Sequence, residues 1–205
     1  MLLIGLTGGY ATGKTLVASE FERLGCHIIN ADQLGHATLQ PDGAAYAPTI
    51  ELFGRQILQP DSTIDRKKLA SIVFAAPDLL AKLNAVVHPA VYRLEEQMLA
   101  DFTTRDPDGI VVLEAAILIE TGRYAQCDKL VVTDCDQETQ IARGIKRDGA
   151  TRDAILARLS KQLSLEEKKR HADFIIDTSG TKEDTLKQVH QVFQKLKPLA
   201  EAAVR

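Results

Sequence analysis

The sequence predicts a three-layer α/β fold, in which a parallel sheet of five strands is covered on both faces by helices. Three observations predict it. Short apolar runs alternate with longer stretches of helical spacing. The runs lack polar alternation, as strands buried on both faces do. Enough chain separates them for the crossover helices that parallel strands require.

Residues 2–6 form the first run and lead into Gly8-Gly9-Tyr10-Ala11-Thr12-Gly13-Lys14-Thr15, which satisfies Gly-x-x-x-x-Gly-Lys-Ser/Thr. Triphosphate oxygens need several donors converging from one side, and a loop can wrap them with backbone N–H groups only where bulky side chains are absent. Gly8 and Gly13 meet that demand. Lys14 supplies a point charge for the outer phosphates and Thr15 a hydroxyl for Mg²⁺, while the helix that starts here adds the positive end of its dipole. Leu16, Val17, Phe21 and Leu24 recur at helical spacing, so a helix is expected over 14–24. The second strand is expected at 27–30. Asp32 follows at the carboxyl edge of the sheet, where open α/β proteins bind ligands, and is the candidate base. The same position also suits an N-cap for a helix over 33–37.

The interval 32–108 is too long for an ordinary crossover and is expected to hold an inserted helical unit. Its helices are expected over 65–75 and 77–102, with Pro77 in a permitted first turn. Strands at 110–114, 130–133 and 174–176, with helices over 137–147 and 182–196, complete the layers. Glu114 ends the third strand, the place of an acid that reaches Mg²⁺ through water; a solvated or capping carboxylate is the alternative, and Glu120 has less claim.

A charged helical interval, 136–169, is the candidate lid. Arg143, Lys146 and Arg147 share a helix face, followed by Arg158, Lys161 and Gln162. A mobile arginine that meets the transferring phosphoryl group stabilises its developing charge; a solvated helix surface is the plainer role for such a face. His88, before Pro89, has no local nucleophile or ligand partner and by spacing alone is structural.

With a net charge of −3 and no tryptophan, the chain offers neither a polycationic face nor a base-stacking surface, so nucleic acid is not an expected partner. The first apolar run is far too short to span a bilayer and lacks the basic start of a signal peptide, so no membrane contact and a cytoplasmic location are expected. Cys26, Cys127 and Cys135 are odd in number and contain no Cys-x-x-Cys pair, which points to buried free thiols instead of disulfides or a zinc site.

In this order the motifs resemble those of the dephospho-CoA kinase family. The resemblance is carried by Ile4-Gly5-Leu6-Thr7-Gly8-Gly9 leading into Gly13-Lys14-Thr15, by Asn30-Ala31-Asp32, and by His88-Pro89. It continues through Gln140-Ile141-Ala142-Arg143, Arg147-Asp148-Gly149, Arg158-Leu159 with Gln162, and Ala172-Asp173-Phe174-Ile175-Ile176. The resemblance implies a P-loop NTPase fold of the nucleoside-monophosphate-kinase type. Its core would be 1–31, 109–135 and 172–205, with a coenzyme-binding helical insert at about 32–108 and a helical lid at about 136–171.

It implies transfer of the ATP γ-phosphoryl group to the ribose 3′-hydroxyl of dephospho-CoA, giving CoA and ADP with Mg²⁺ assistance, by a monomer or weak homo-oligomer. By the resemblance, Asp32, Lys14, Arg143 and Arg147 are catalytic. Gly9, Ala11, Thr12, Gly13, Lys14, Thr15 and Leu16 bind ATP, Asp32 and His88 face the substrate, and Thr15 and Glu114 serve the metal. The chain departs from the family pattern at Ala11, Thr12 and Thr15. It departs again in Glu114-Ala115-Ala116-Ile117-Leu118-Ile119-Glu120, where the family favours an aspartate, a proline two positions on, two leucines and a glutamate.

Two rivals are weighed beside this. One is another small P-loop kinase acting on a nucleoside, nucleotide or metabolite hydroxyl. The other is a nucleotide-dependent switch; a guanine switch is expected to carry Asn/Thr-Lys-x-Asp, and the chain is read as lacking it.

Overall fold

A computed structural model describes residues 1–74 and 76–202. Its five strands are β1 Leu2–Gly8, β2 His27–Asn30, β3 Ile110–Glu114, β4 Lys129–Asp134 and β5 Phe174–Asp177. All pairings are parallel, in the order β2-β3-β1-β4-β5, as the expected α/β class requires. Glu114 lies opposite both Leu6 and Asn30, and Gly8 opposite Thr133. The register therefore gathers the carboxyl ends of β1, β2, β3 and β4 along one edge, where an open α/β sheet places its ligand site.

The chain folds into two compact units, one comprising Met1–Asn30 with Asp101–Arg205 and the other Ala31–Ala100. The first holds the sheet. Ile4, Leu6, Val112, Val131 and Ile176 pack with Val17 and Phe21 of α1 (Lys14–Arg23) and with Val189, Val192, Leu196 and Ala200 of α9 (Lys182–Ala202). Each large side chain buried here contributes about 1.5–3 kcal/mol. Helix α9 outruns the end expected at residue 196 and passes through Pro198, because Ala200 continues the buried stripe one turn beyond Leu196.

Three helices lie between β4 and β5: α6 Gln137–Asp148, α7 Arg152–Leu159 and α8 Leu165–Lys169. Each starts on a side-chain cap. Asp136 accepts from Thr139 N–H, Thr151 from Ala154 N–H, and Ser164 from Glu167 N–H in a full capping box.

The second unit contains α2 Ala31–Thr38, α3 Tyr46–Phe53, α4 Arg66–Phe74 and most of α5 Pro77–Arg105, which runs through Pro89. Leu39, Ala45, Phe53, Ile57, Ile64, Leu69, Val73 and Ala90 form its core. Ala75, the expected end of the 65–75 helix, and residues 203–205 of the expected core lie outside the described residues. The cap alternative for Asp32 is corrected. Strand β2 passes into α2 with no intervening loop, so Asp32 is the second residue of the helix, with its carboxylate in the favourable first turn.

Candidate active site

The loop between β1 and α1 is held from three sides. Within it, the Thr12 hydroxyl bonds to Gly9 C=O at 2.9 Å. From β4, the Thr133 hydroxyl meets the Thr12 hydroxyl at 2.7 Å. From the turn after β5, the Thr178 hydroxyl donates to Thr12 C=O at 2.9 Å. Thr12 is fully buried, so these bonds lie out of water's reach and fix the loop's curvature. The fit leaves no room at Gly8, where a Cβ would stand 2.1 Å from the Thr133 hydroxyl. Gly13 has φ +82°, a conformation glycine adopts without steric cost, and Ala11 takes φ +57°.

Lys14 opens α1 and folds its ammonium back over the loop, 3.4 Å from Gly8 C=O and 3.2 Å from Gly9 C=O. Thr15 is exposed in the first turn of the same helix, and Leu16 N–H closes that turn on Gly13 C=O. Helix N–H groups project from the N-terminus here and carry its partial positive charge, an arrangement that with the loop and the ammonium suits an anion.

Glu114 is buried at the end of β3, and Asn30 of β2 donates its side-chain amide to the carboxylate at 2.8 Å. A buried carboxylate is costly without such partners, and hard oxygen donors at this edge suit Mg²⁺. Among the described residues, no group of three or more His, Cys, Asp or Glu side chains is gathered to hold a metal ion.

Three arginines of 136–169 have partners near the loop, whereas Lys146 on the same face is solvent-exposed. Arg143 donates to the Thr178 hydroxyl at 3.1 Å and to Thr178 C=O, which places its guanidinium beside the threonine that anchors the phosphate loop. Arg147 and Arg158 both bond to Asp148, and both stack on the ring of Tyr10, 4.8 and 5.4 Å from its centroid. Arg147 and the Tyr10 hydroxyl hold the Asp148 carboxyl far below the usual carboxylate range.

The structure thus brings Lys14, the loop residues and Arg143 around Thr12 and Thr178, with Arg147 reached through Tyr10. Asp32 and His88 belong to the other unit. Asp32 is exposed on α2; His88 is half-buried on α5, tilted against Tyr92 at 5.9 Å, and burial lowers its basicity. Of the three cysteines expected to be buried, Cys26 and Cys135 are, while Cys127 is half-buried; burial pushes the Cys26 thiol up to about 12.

Sequence reasoning passes over several residues. Thr133 and Thr178 are ordinary threonines at strand ends, and Tyr10 is an unfixed position of the motif. Lys168 is fully buried, donating to Ala116 C=O at 2.7 Å and pairing with Glu120 at 2.8 Å. Only the Ser164-x-x-Glu167 box signalled where that lysine's helix begins. One motif was also missed, since Thr181-Lys182-Glu183-Asp184 spells Thr-Lys-x-Asp. Here it caps α9: the Thr181 hydroxyl donates to the Asp184 carboxylate at 2.7 Å and accepts Asp184 N–H at 3.1 Å.

Comparison with known proteins is consistent with this geometry. Residues 2–184 match the family described as dephospho-CoA kinase. A dephospho-CoA kinase of Geobacter metallireducens is 43% identical over 189 residues, covering 92% of this chain and 94% of that protein. The crystal structure of TT1252 from Thermus thermophilus superposes with a TM-score of 0.82 at 29% identity, covering 95% of this chain and 97% of that one. Dephospho-CoA kinase from Campylobacter jejuni superposes with a TM-score of 0.70 at 26% identity, covering 96% and 97%.

Proposed function

The chain belongs to the dephospho-CoA kinase family and is an ATP-dependent phosphotransferase, and from this premise we propose how its residues move the γ-phosphoryl group of ATP to the ribose 3′-hydroxyl of dephospho-CoA. Lys14 and the backbone of Gly9, Ala11, Thr12, Gly13, Thr15 and Leu16 hold the triphosphate, with the start of α1 adding its dipole. Asp32 orients the 3′-hydroxyl and accepts its proton as the oxygen attacks phosphorus in line. Little covalent chemistry is asked of the protein in such a transfer, so alignment and charge stabilisation dominate. Arg143 and Arg147 supply that positive charge from the segment that serves as lid. Thr15, with Glu114 acting through water, would hold Mg²⁺, which when bound neutralises charge on the phosphate oxygens. His88 serves the substrate side, and the insert at about 32–108 serves as the coenzyme-binding unit.

One observation carries this reading: the family match spans residues 2–184 and so includes the helical unit with Asp32 and His88 as well as the phosphate loop. The test is a mass-resolved assay with ATP, Mg²⁺ and dephospho-CoA, beside AMP, CMP, pantothenate and no-acceptor controls. The expected product is CoA, absent with Lys14→Ala. Asp32→Asn is expected to keep ATP binding and to lose roughly 10²-fold or more in turnover, as for a positioned base. Wild-type turnover by Asp32→Asn removes that role. Turnover of another acceptor but not dephospho-CoA favours a different small P-loop kinase, and nucleotide binding without any turnover favours a switch.

A further inference from the structure

Tyr10 is the third residue of the phosphate loop, and every polar group it has is bonded to the segment between β4 and β5. Its N–H donates to the Gln162 side chain at 3.0 Å, its C=O accepts from Gln140 at 2.7 Å, and its hydroxyl donates to Asp148. The ring lies under two guanidiniums, those of Arg147 and Arg158. The electron-rich face of a phenol attracts such cations, and Asp148, bonded to both, offsets their mutual repulsion.

Room for the ring is built into α6. A Cβ at Gly144 would stand 2.7 Å from the Tyr10 ring and 2.9 Å from Ile155, so glycine at this interior helix position is what lets the ring seat. Glycine there otherwise weakens a helix relative to alanine.

We propose that Tyr10 is a positioning residue: it seats Arg147 and Arg158 against the phosphate loop, so that the loop which holds ATP also sets where the lid arginines stand. This deepens the proposed role of Arg147 and rests on it. The contact ties loop to lid by a ring stack, which tolerates sliding, and by one hydroxyl bond to the carboxylate that both arginines share. Arginines held this way reach the reacting phosphate from a defined starting point. Misplacement by about an ångström costs transfer steps on the order of 10²-fold, so the seat acts on turnover.

The test compares Tyr10→Phe, Tyr10→Leu and Gly144→Ala in the intact enzyme, each also in the Arg147→Ala/Arg158→Ala background, with kcat, both KM values and melting temperature read for all. Tyr10→Phe keeps the stacking face and is expected to stay within about threefold of the native kcat. Tyr10→Leu is expected to lose roughly tenfold or more in kcat with KM for ATP within about threefold, a loss of the size a misplaced group produces. In the arginine-less background Tyr10→Leu should change kcat no further, because the seat has nothing left to hold. Equal fold-losses in both backgrounds, or native kcat in Tyr10→Leu, would overturn the proposal. Should Tyr10→Leu fail to fold, Gly144→Ala displaces the ring from the other side and is read by the same criterion. Failure of the underlying reading is distinct: Arg147→Ala would then keep native kcat whatever occupies position 10.

Discussion

Replacing Lys168 with methionine tests how α8 is tied to the sheet. The lysine side chain is 0% exposed, and its ammonium is divided between Ala116 C=O at 2.7 Å and the Glu120 carboxylate at 2.8 Å. Methionine keeps most of the stem's length and packing but removes the charge. Glu120 is then left facing an apolar group, although its side chain is 20% exposed and it still accepts Leu163 N–H at 3.0 Å. Ala116 C=O keeps the Thr7 hydroxyl at 3.3 Å.

Removing one partner of a buried ion pair costs about 3–5 kcal/mol, and the partial exposure of Glu120 places this case at the lower end, about 3 kcal/mol. For a chain of this size each kcal/mol corresponds to about 2–4 °C, so a fall in melting temperature of roughly 6–12 °C is expected. Scanning calorimetry measures it. Lys168→Met/Glu120→Leu, which leaves no lone charge, should recover at least half of the loss. A single-variant fall of under about 2 °C, or a double variant no more stable than the single, would refute the assignment of this pair as an anchor.

Two further perturbations probe the loop and the α1–α9 contact. Gly8→Ala places a methyl 2.1 Å from the Thr133 hydroxyl and 2.8 Å from its carbonyl oxygen. The backbone clash cannot be relieved by a rotamer change, so a stability loss of about 1–3 kcal/mol and a weakened ATP titration are expected; native ATP affinity would remove the steric argument. Glu20 accepts from Arg23 at 2.6 Å and from His190 of α9, and Arg23 leads in lowering its pKa from 4.5 to about 2. The stabilisation from Glu20 is fully present above about 4.5 and is lost as pH falls through about 2. Urea midpoints measured between those limits should decline more steeply for the native chain than for Glu20→Gln, and parallel curves would exclude the linkage.

The strands and most helices were legible because they depend on local pattern. Apolar runs without alternation gave the parallel strands; β1 and β3 are buried throughout as expected, whereas the edge strands β2 and β5 are partly exposed, since each lacks a neighbour on one side. The glycine pattern of the phosphate loop was legible for the same reason: it states a backbone requirement that the sequence must meet in place.

Local pattern misjudged the junction after β2, where strand and helix abut and Asp32 falls inside α2. It also stopped α9 at residue 196, whereas the helix runs on through Pro198 with Ala200 buried against the sheet's core. The Thr-Lys-x-Asp string at 181–184 shows the converse, a functional pattern that the fold uses as a cap.

By itself the sequence determined the fold class, the phosphate loop and the family resemblance, because these reside in residue identity and short-range spacing. Only the tertiary structure decided that Thr133 and Thr178 fix the loop, that Lys168 is buried against Glu120, and that Tyr10 lies under Arg147 and Arg158 beside Gly144. Each of these contacts joins positions far apart in the chain. A hydroxyl, an ammonium or a ring carries no mark in sequence of which distant partner will satisfy it once water is excluded.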